Sequence, residues 1–184
     1  MKKQATSDPK KRKGLIIVNT GNGKGKSTAS FGLALRAAGN KMNVFIMQFM
    51  KGPWKAGERK ALKKLSEYVE YEAMGDGFTW DTENPEQDKK TARDAFDLAK
   101  EKLMSGKYQM IILDEINYVL DYKFFPLDEF LETLRNKPKD VHVVCTGRNA
   151  QEKLIELADL VTEMKLIKHP YDDQGIPAQK GIEF

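Results

Sequence analysis

One cysteine, Cys145, stands in a chain of 184 residues, so no disulfide can form within it. A metal site of the Cys-x-x-Cys type is excluded for the same reason. There are two histidines: His142 lies in the apolar run Val141-His142-Val143-Val144-Cys145, and His169 lies in a polar C-terminal stretch. That pair supports neither a histidine metal site nor a Ser-His-Asp triad. Cys145 reads as a small core residue. No apolar run reaches the eighteen or so residues of a membrane-spanning helix. No apolar stretch of the secretory type follows Met1, and a cytoplasmic location is expected.

A strong excess of one charge is also missing from most of the chain. Lys and Arg total 31 against 27 Asp and Glu, a net charge of +4. Residues 1–13 hold six of the bases (Lys2, Lys3, Lys10, Lys11, Arg12, Lys13) and one acid, Asp8; the remaining 25 bases and 26 acids give −1. The chain therefore reads as a basic flexible N-terminal arm, 1–13, and one α/β domain, 14–184, with an extended C-terminal tail at 168–184. For the arm, composition favours a disordered, solvated segment; a contact for nucleic acid or anionic lipid, or a cover over a bound nucleotide, are the alternatives.

What is present is a phosphate loop. Leu15-Ile16-Ile17-Val18 reads as a buried strand, and Phe31, Leu33, Ala34, Leu35, Ala37 and Ala38 mark a helix over 27–38. Between them lies Thr20-Gly21-Asn22-Gly23-Lys24-Gly25-Lys26-Ser27-Thr28. Strand, glycine-rich loop, Gly-Lys-Ser and helix together form a P-loop. Backbone N–H groups of residues 22–28 and the helix N-terminus would hold phosphates, Lys26 would bridge the outer phosphates, and the Ser27 hydroxyl would bind magnesium. The usual pattern requires glycine at position 20; this chain has Thr20.

Further apolar runs predict strands at 43–49, 68–73, 109–113, 141–146 and 159–164. Helices are expected over 56–65, from Asn84-Pro85-Glu86-Gln87 with a capping box down to Gly106, from Pro126, and around Leu154, Ile155 and Leu157. Such alternation predicts a mainly parallel sheet flanked by helices, a P-loop NTPase-like, RecA-like fold. Ligands then bind at the carboxyl ends of the strands, which gathers the loops at 20–28, 50–57, 74–83, 114–118 and 146–149.

Met110-Ile111-Ile112-Leu113-Asp114-Glu115 ends an apolar strand in two carboxylates, the Walker B form. Asp114 would orient magnesium or its water shell, and Glu115 would be a metal-shell ligand or a base that activates water. Arg148, in Cys145-Thr146-Gly147-Arg148, would neutralise phosphate charge with its planar fork; the alternative is an ordinary surface arginine. Gly75-Asp76-Gly77-Phe78-Thr79-Trp80 carries two aromatics in a glycine-rich loop. They either dock on the core or form a platform for a flat apolar ligand. Lys51-Gly52-Pro53-Trp54 poses the same choice.

Taken together, the first loop, Gln48-Phe49-Met50-Lys51-Gly52, Gly77-Phe78-Thr79-Trp80, Leu113-Asp114-Glu115, Thr146-Gly147-Arg148, Glu156-Leu157-Ala158-Asp159, Lys168-His169 and Ala178-Gln179-Lys180-Gly181-Ile182 resemble the P-loop ATP:corrinoid adenosyltransferases. That family writes its phosphate loop without the leading glycine. Two features depart from it: Ser27 stands where the family often has Thr, and the segment before the loop is short and lysine-rich.

The resemblance implies transfer of the 5′-deoxyadenosyl group of MgATP to cobalt(I) of a corrinoid, with release of triphosphate. ATP would lie reversed on the loop formed by Asn22, Gly23, Lys24, Gly25, Lys26, Ser27 and Thr28. Lys26, Glu115 and Arg148 would carry catalysis, with Ser27, Asp114 and Glu115 at the metal. Phe78 and Trp80 would pack beneath the corrin ring and displace the lower cobalt ligand. A homodimer and an electron-donating flavoprotein reductase are implied as partners, with no nucleic acid or membrane. The competing readings are a generic P-loop ATPase or small-molecule kinase, and a nucleotide-dependent binding module.

Overall fold

Six short apolar runs form one parallel sheet in the computed structural model, which describes residues 13–49, 57–74 and 85–183. The strands are β1 (Ile16–Thr20), β2 (Val44–Gln48), β3 (Val69–Ala73), β4 (Met110–Asp114), β5 (His142–Thr146) and β6 (Leu160–Glu163). Their order is β3-β2-β4-β5-β1-β6, and every pairing is parallel. One strand, β5, thus separates the phosphate-loop strand from the strand ending in Asp114. β1, β2 and β4 are buried at every position, as a sheet covered on both faces requires.

The helices are α1 (Lys26–Gly39), α2 (Gly57–Leu62), α3 (Pro85–Met104), α4 (Ile116–Asp121), α5 (Leu127–Arg135), α6 (Glu152–Leu157) and α7 (Pro170–Gln174). One face of the sheet packs on α1 and α2: Ile17, Val44, Ile46, Ile112 and Val144 meet Phe31, Ala34, Ala38 and Leu62. The other face packs on α3 to α6. There Ala92, Ala95, Phe96, Ala99 and Leu103 recur at helical spacing and turn one side of α3 inward. Phe96 stacks on Phe125 with ring centroids 4.5 Å apart and tilts against Phe130 at 5.9 Å. Truncating such a ring costs ~3–5 kcal/mol.

Differences from the sequence reading are local. The helix expected over 56–65 is α2 followed by a 3₁₀ turn at Lys63–Leu65. Gly39 ends α1 from inside, and the left-handed residue is Lys41, at φ 59°. α4 was not expected: six residues after the carboxylate pair are too few for an apolar period to show. The tail read as extended contains α7, which His169 caps by accepting from Asp172 N. β6 is exposed at all four positions because it lies at the sheet edge. The Asn84–Gln87 capping box involves Asn84, which lies outside the described residues. Among those residues no helix is long and apolar enough to cross a membrane.

Candidate active site

β1 delivers the phosphate loop to the carboxyl edge of the sheet, and α1 begins there. Gly25 caps α1 in the left-handed conformation, φ 109°, and a Cβ added to it would meet nothing within 4 Å. Glycine is required by that φ, and the surrounding space is open to a phosphate. Gly23 N donates to Met164 O at 2.6 Å, which fastens the loop to the chain leaving β6. Thr20 occupies the position of the usual leading glycine because it is the last residue of β1. Its carbonyl accepts from Met164 N, and its hydroxyl accepts from Ala150 N at 3.2 Å.

Lys26 opens α1 and is buried. Its ammonium donates to Gly21 O and Gly23 O, both at 2.8 Å. Burial lowers its pKa; Glu115 and Asp114 oppose the shift, and Arg148 and Lys24 add to it. Lys26, Asp114, Glu115 and Arg148 therefore share one electrostatic neighbourhood. Ser27 is half-buried, whereas Asn22, Lys24 and Thr28 are exposed. Lys24 pairs with Glu183 of the tail at 3.3 Å.

A polar row crosses the sheet just beneath this loop. The register aligns Gln48 with Asp114, and Asn19 with both Thr146 and Thr162. Asp114 is fully buried, and neutral groups hold both its oxygens: Gln48 Nε2 at 2.6 Å and Thr146 Oγ1 at 2.8 Å. Thr146 Oγ1 in turn accepts from Glu115 N at 2.9 Å. Asn19 Nδ2 donates to Ser30 Oγ of α1 at 2.9 Å. Glu115 itself takes the left-handed conformation, φ 66°, as it turns the chain from β4 into α4.

Arg148 stands on the turn after β5. Gly147 has φ 125°, and a Cβ there would lie 2.9 Å from Asn117 Cβ, so no other residue fits. The buried Asn117 donates to Gly147 O at 2.9 Å, Asn149 donates to Asp121 at 2.8 Å, and Thr20 holds Ala150. A rigid turn therefore presents an exposed arginine beside Lys26. Arg148 makes no ion pair among the described residues. Phe78, Trp80 and the 51–54 segment lie outside them. Cys145 is a core residue, as expected, its thiol pushed up to about 12 by burial.

Gln48, Thr146 and Asn117 were given no role from sequence. The available signal was a polar residue closing an apolar strand, which Gln48 and Thr146 both are.

The model of one family, ATP:corrinoid adenosyltransferase BtuR/CobO/CobP, matches residues 12–184. A corrinoid adenosyltransferase of Sinorhizobium sp is 48% identical over 174 residues, 94% of this chain and 81% of that protein. The corrinoid adenosyltransferase of Escherichia coli strain K12 is 43% identical over 172 residues, 94% of this chain and 86% of its own. The corrinoid adenosyltransferase CobA of Salmonella typhimurium strain LT2 is 41% identical, with the same coverage. A match over nearly the whole chain joins the phosphate loop and the Asp-Glu strand found here, and the chain belongs to the ATP:corrinoid adenosyltransferase BtuR/CobO/CobP family.

Proposed function

We infer that this enzyme, a corrinoid adenosyltransferase, uses the edge described above to bind ATP and expel its triphosphate. The observation that carries the reading is the gathering of Lys26, Asp114, Glu115 and Arg148 in one electrostatic neighbourhood at the start of α1.

Cobalt(I) of the corrinoid substrate is itself the nucleophile. Its electron pair forms the bond to C5′ of ATP, the C5′–O bond breaks, and triphosphate departs with that bond's electrons. The chain then has to position C5′ and stabilise charge on the leaving group. Lys26 and Arg148 would meet the phosphates, together with the N–H groups of residues 22–28. Phe78 and Trp80 would lie under the corrin ring, a role supported by the family resemblance.

Magnesium fits the donors available. Ser27, Asp114 and Glu115 offer only oxygen, and Mg2+ takes one or two carboxylates plus phosphate oxygens and water. Accordingly, no group of three or more His, Cys, Asp or Glu among the described residues could hold a metal alone. Mg2+ would neutralise phosphate charge; Ser27 and the two carboxylates would hold it.

Partners follow the same reading. Leu160 and Val161 on the open edge of β6, with Leu166 and Ile167, are exposed apolar side chains, which supports a homodimer, to be checked by light scattering. A flavoprotein reductase would supply the electron to cobalt(II). Residues 1–13 would form an arm outside the 14–184 domain. Lys13 at its end is bonded to Asp159.

The test incubates protein, MgATP and reduced cobalamin, following the cobalt–carbon product by absorbance and the released phosphates. Adenosylated corrinoid and triphosphate in equal amounts are expected; ADP and phosphate without alkylated corrinoid would sink the reading. Trp80→Ala should impair turnover more with cobalt(II) plus reductant than with chemically prepared cobalt(I). Equal losses would remove the lower-face role.

A further inference from the structure

Asp114 is an ionisable group buried at 0% exposure that touches no cation within ion-pair distance among the described residues. What holds it is a chain of neutral side chains running across the sheet to its β3 edge. Gln48, 2% exposed, donates from Nε2 to Asp114 Oδ2 at 2.6 Å. The amide orientation follows from chemistry: a carboxylate only accepts, so the NH2 end faces Asp114 and Oε1 faces away. Tyr71 on β3 donates its phenolic hydrogen to that Oε1. Gln48 and Asp114 are register partners. Tyr71 precedes Ala73, the β3 partner of Gln48, by two residues, so all three side chains share the α1 face.

Tyr71 is well suited to fixing this amide. Its hydroxyl is pushed up to about 12, chiefly by burial, and so keeps its proton at any working pH. Arg59 of α2 lies over its ring, 5.3 Å from the centroid, and pins it from outside. If the amide flipped, its carbonyl would oppose the Asp114 carboxylate, and two acceptors would face each other in a buried site. The phenol prevents this by rewarding one orientation only. Thr146 secures the other oxygen, leaving each oxygen one lone pair for a metal-bound water.

We propose that Gln48, oriented by Tyr71, is a positioning residue for Asp114, holding the carboxylate so that it meets the hydrated magnesium of bound ATP. This rests on Asp114 belonging to the metal shell. Partners that orient metal-shell ligands are worth about 10–100-fold in metal affinity or activity.

The experiment measures ATP affinity of the full-length protein in Mg2+ and in EDTA, for wild type, Asp114→Asn, Gln48→Leu and Tyr71→Phe, with thermal melting of each. Asp114→Asn and Gln48→Leu should each cut the Mg2+-over-EDTA affinity ratio by about 10-fold or more. Tyr71→Phe should cut it by about 3-fold, since Gln48 can still donate but is no longer held to one orientation. Affinity in EDTA should stay near wild type, and the Mg2+ concentration for half-maximal turnover should rise in parallel. If Asp114→Asn leaves the ratio unchanged, the metal-shell reading fails and this proposal with it. If Asp114→Asn lowers the ratio while Gln48→Leu and Tyr71→Phe do not, the positioning role alone is overturned. Equal losses in Mg2+ and EDTA would make the chain a merely structural feature and also overturn it. Should Gln48→Leu fail to fold, Tyr71→Phe decides the outcome.

Discussion

The two ends of the sheet are both lined with charged residues, but they treat charge in opposite ways. At the amino edge, charges meet partners. Glu70 accepts from Lys102 at 2.7 Å, Lys107 at 3.0 Å and Tyr108. Asp159 takes Lys13 and Ile16 N; Lys137, held by the carbonyls of Gly14 and Val141 at 2.8 and 2.7 Å, is the exception at this edge. At the carboxyl edge, Asp114 is held by an amide and a hydroxyl, and Lys26 by two carbonyls. Arg148 is exposed. Among the described residues Lys24 pairs with Glu183 there, and Lys24 stays half exposed. Ion pairs lock a structure, whereas charges held by neutral groups keep their field available to a ligand. Such charges cost stability until a counter-charge arrives, and they collect where ligands bind.

That division can be broken, most readily at Lys26. Lys26→Ala should lower turnover by about 10²–10³-fold or more by removing a donor to the leaving triphosphate, and ATP affinity should fall with it. Its melting temperature should stay near wild type, because a desolvated ammonium is removed along with two bonds. Unchanged ATP affinity would remove the P-loop assignment.

Arg148→Ala should cost about 10²-fold in kcat/KM with no change in melting temperature, and Arg148→Lys should restore little, because a lysine lacks the bidentate fork. Full recovery by lysine would reduce Arg148 to a general positive charge.

Glu70→Gln should do the reverse: unchanged turnover per folded molecule and a melting temperature lower by about 2–4 °C, the shift expected for ~1 kcal/mol in a chain of this size. The Glu70 carboxyl is held down to about 2, first by Lys102, then by Tyr108. A depressed folded-state pKa stabilises above the unfolded value of about 4.5 and is lost as pH falls towards 2. The gap in melting temperature between wild type and Glu70→Gln should therefore be full at pH 7 and shrink below pH 4.5. A gap that persists at the acid end would mean that packing, not charge, is what the substitution removed. A loss of turnover in Glu70→Gln matching that of Arg148→Ala would erase the distinction between the edges.

Much of this was legible in the chain. The strand read at Leu15–Val18, which spans Ile16–Thr20 in the fold, the loop to Thr28 and the Asp114-Glu115 pair are local patterns. The helix read from 84 down to Gly106 is α3, Pro85–Met104. α4 and α7 were not legible, being shorter than two helical turns, and α7 carries a histidine cap with no local period. The roles of Gln48, Thr146 and Asn117 were not legible either, although the first two stood at strand ends in plain view.

By itself the sequence determined the phosphate loop, the carboxylate strand and the family, because a strand, a loop and a helix start are written within some fifteen consecutive residues. Only the tertiary structure decided what faces Asp114. Gln48 is 66 residues away and Thr146 is 32, and they meet it because parallel strands stand in one register. Register is set by the packing of both sheet faces together, so no single segment carries it.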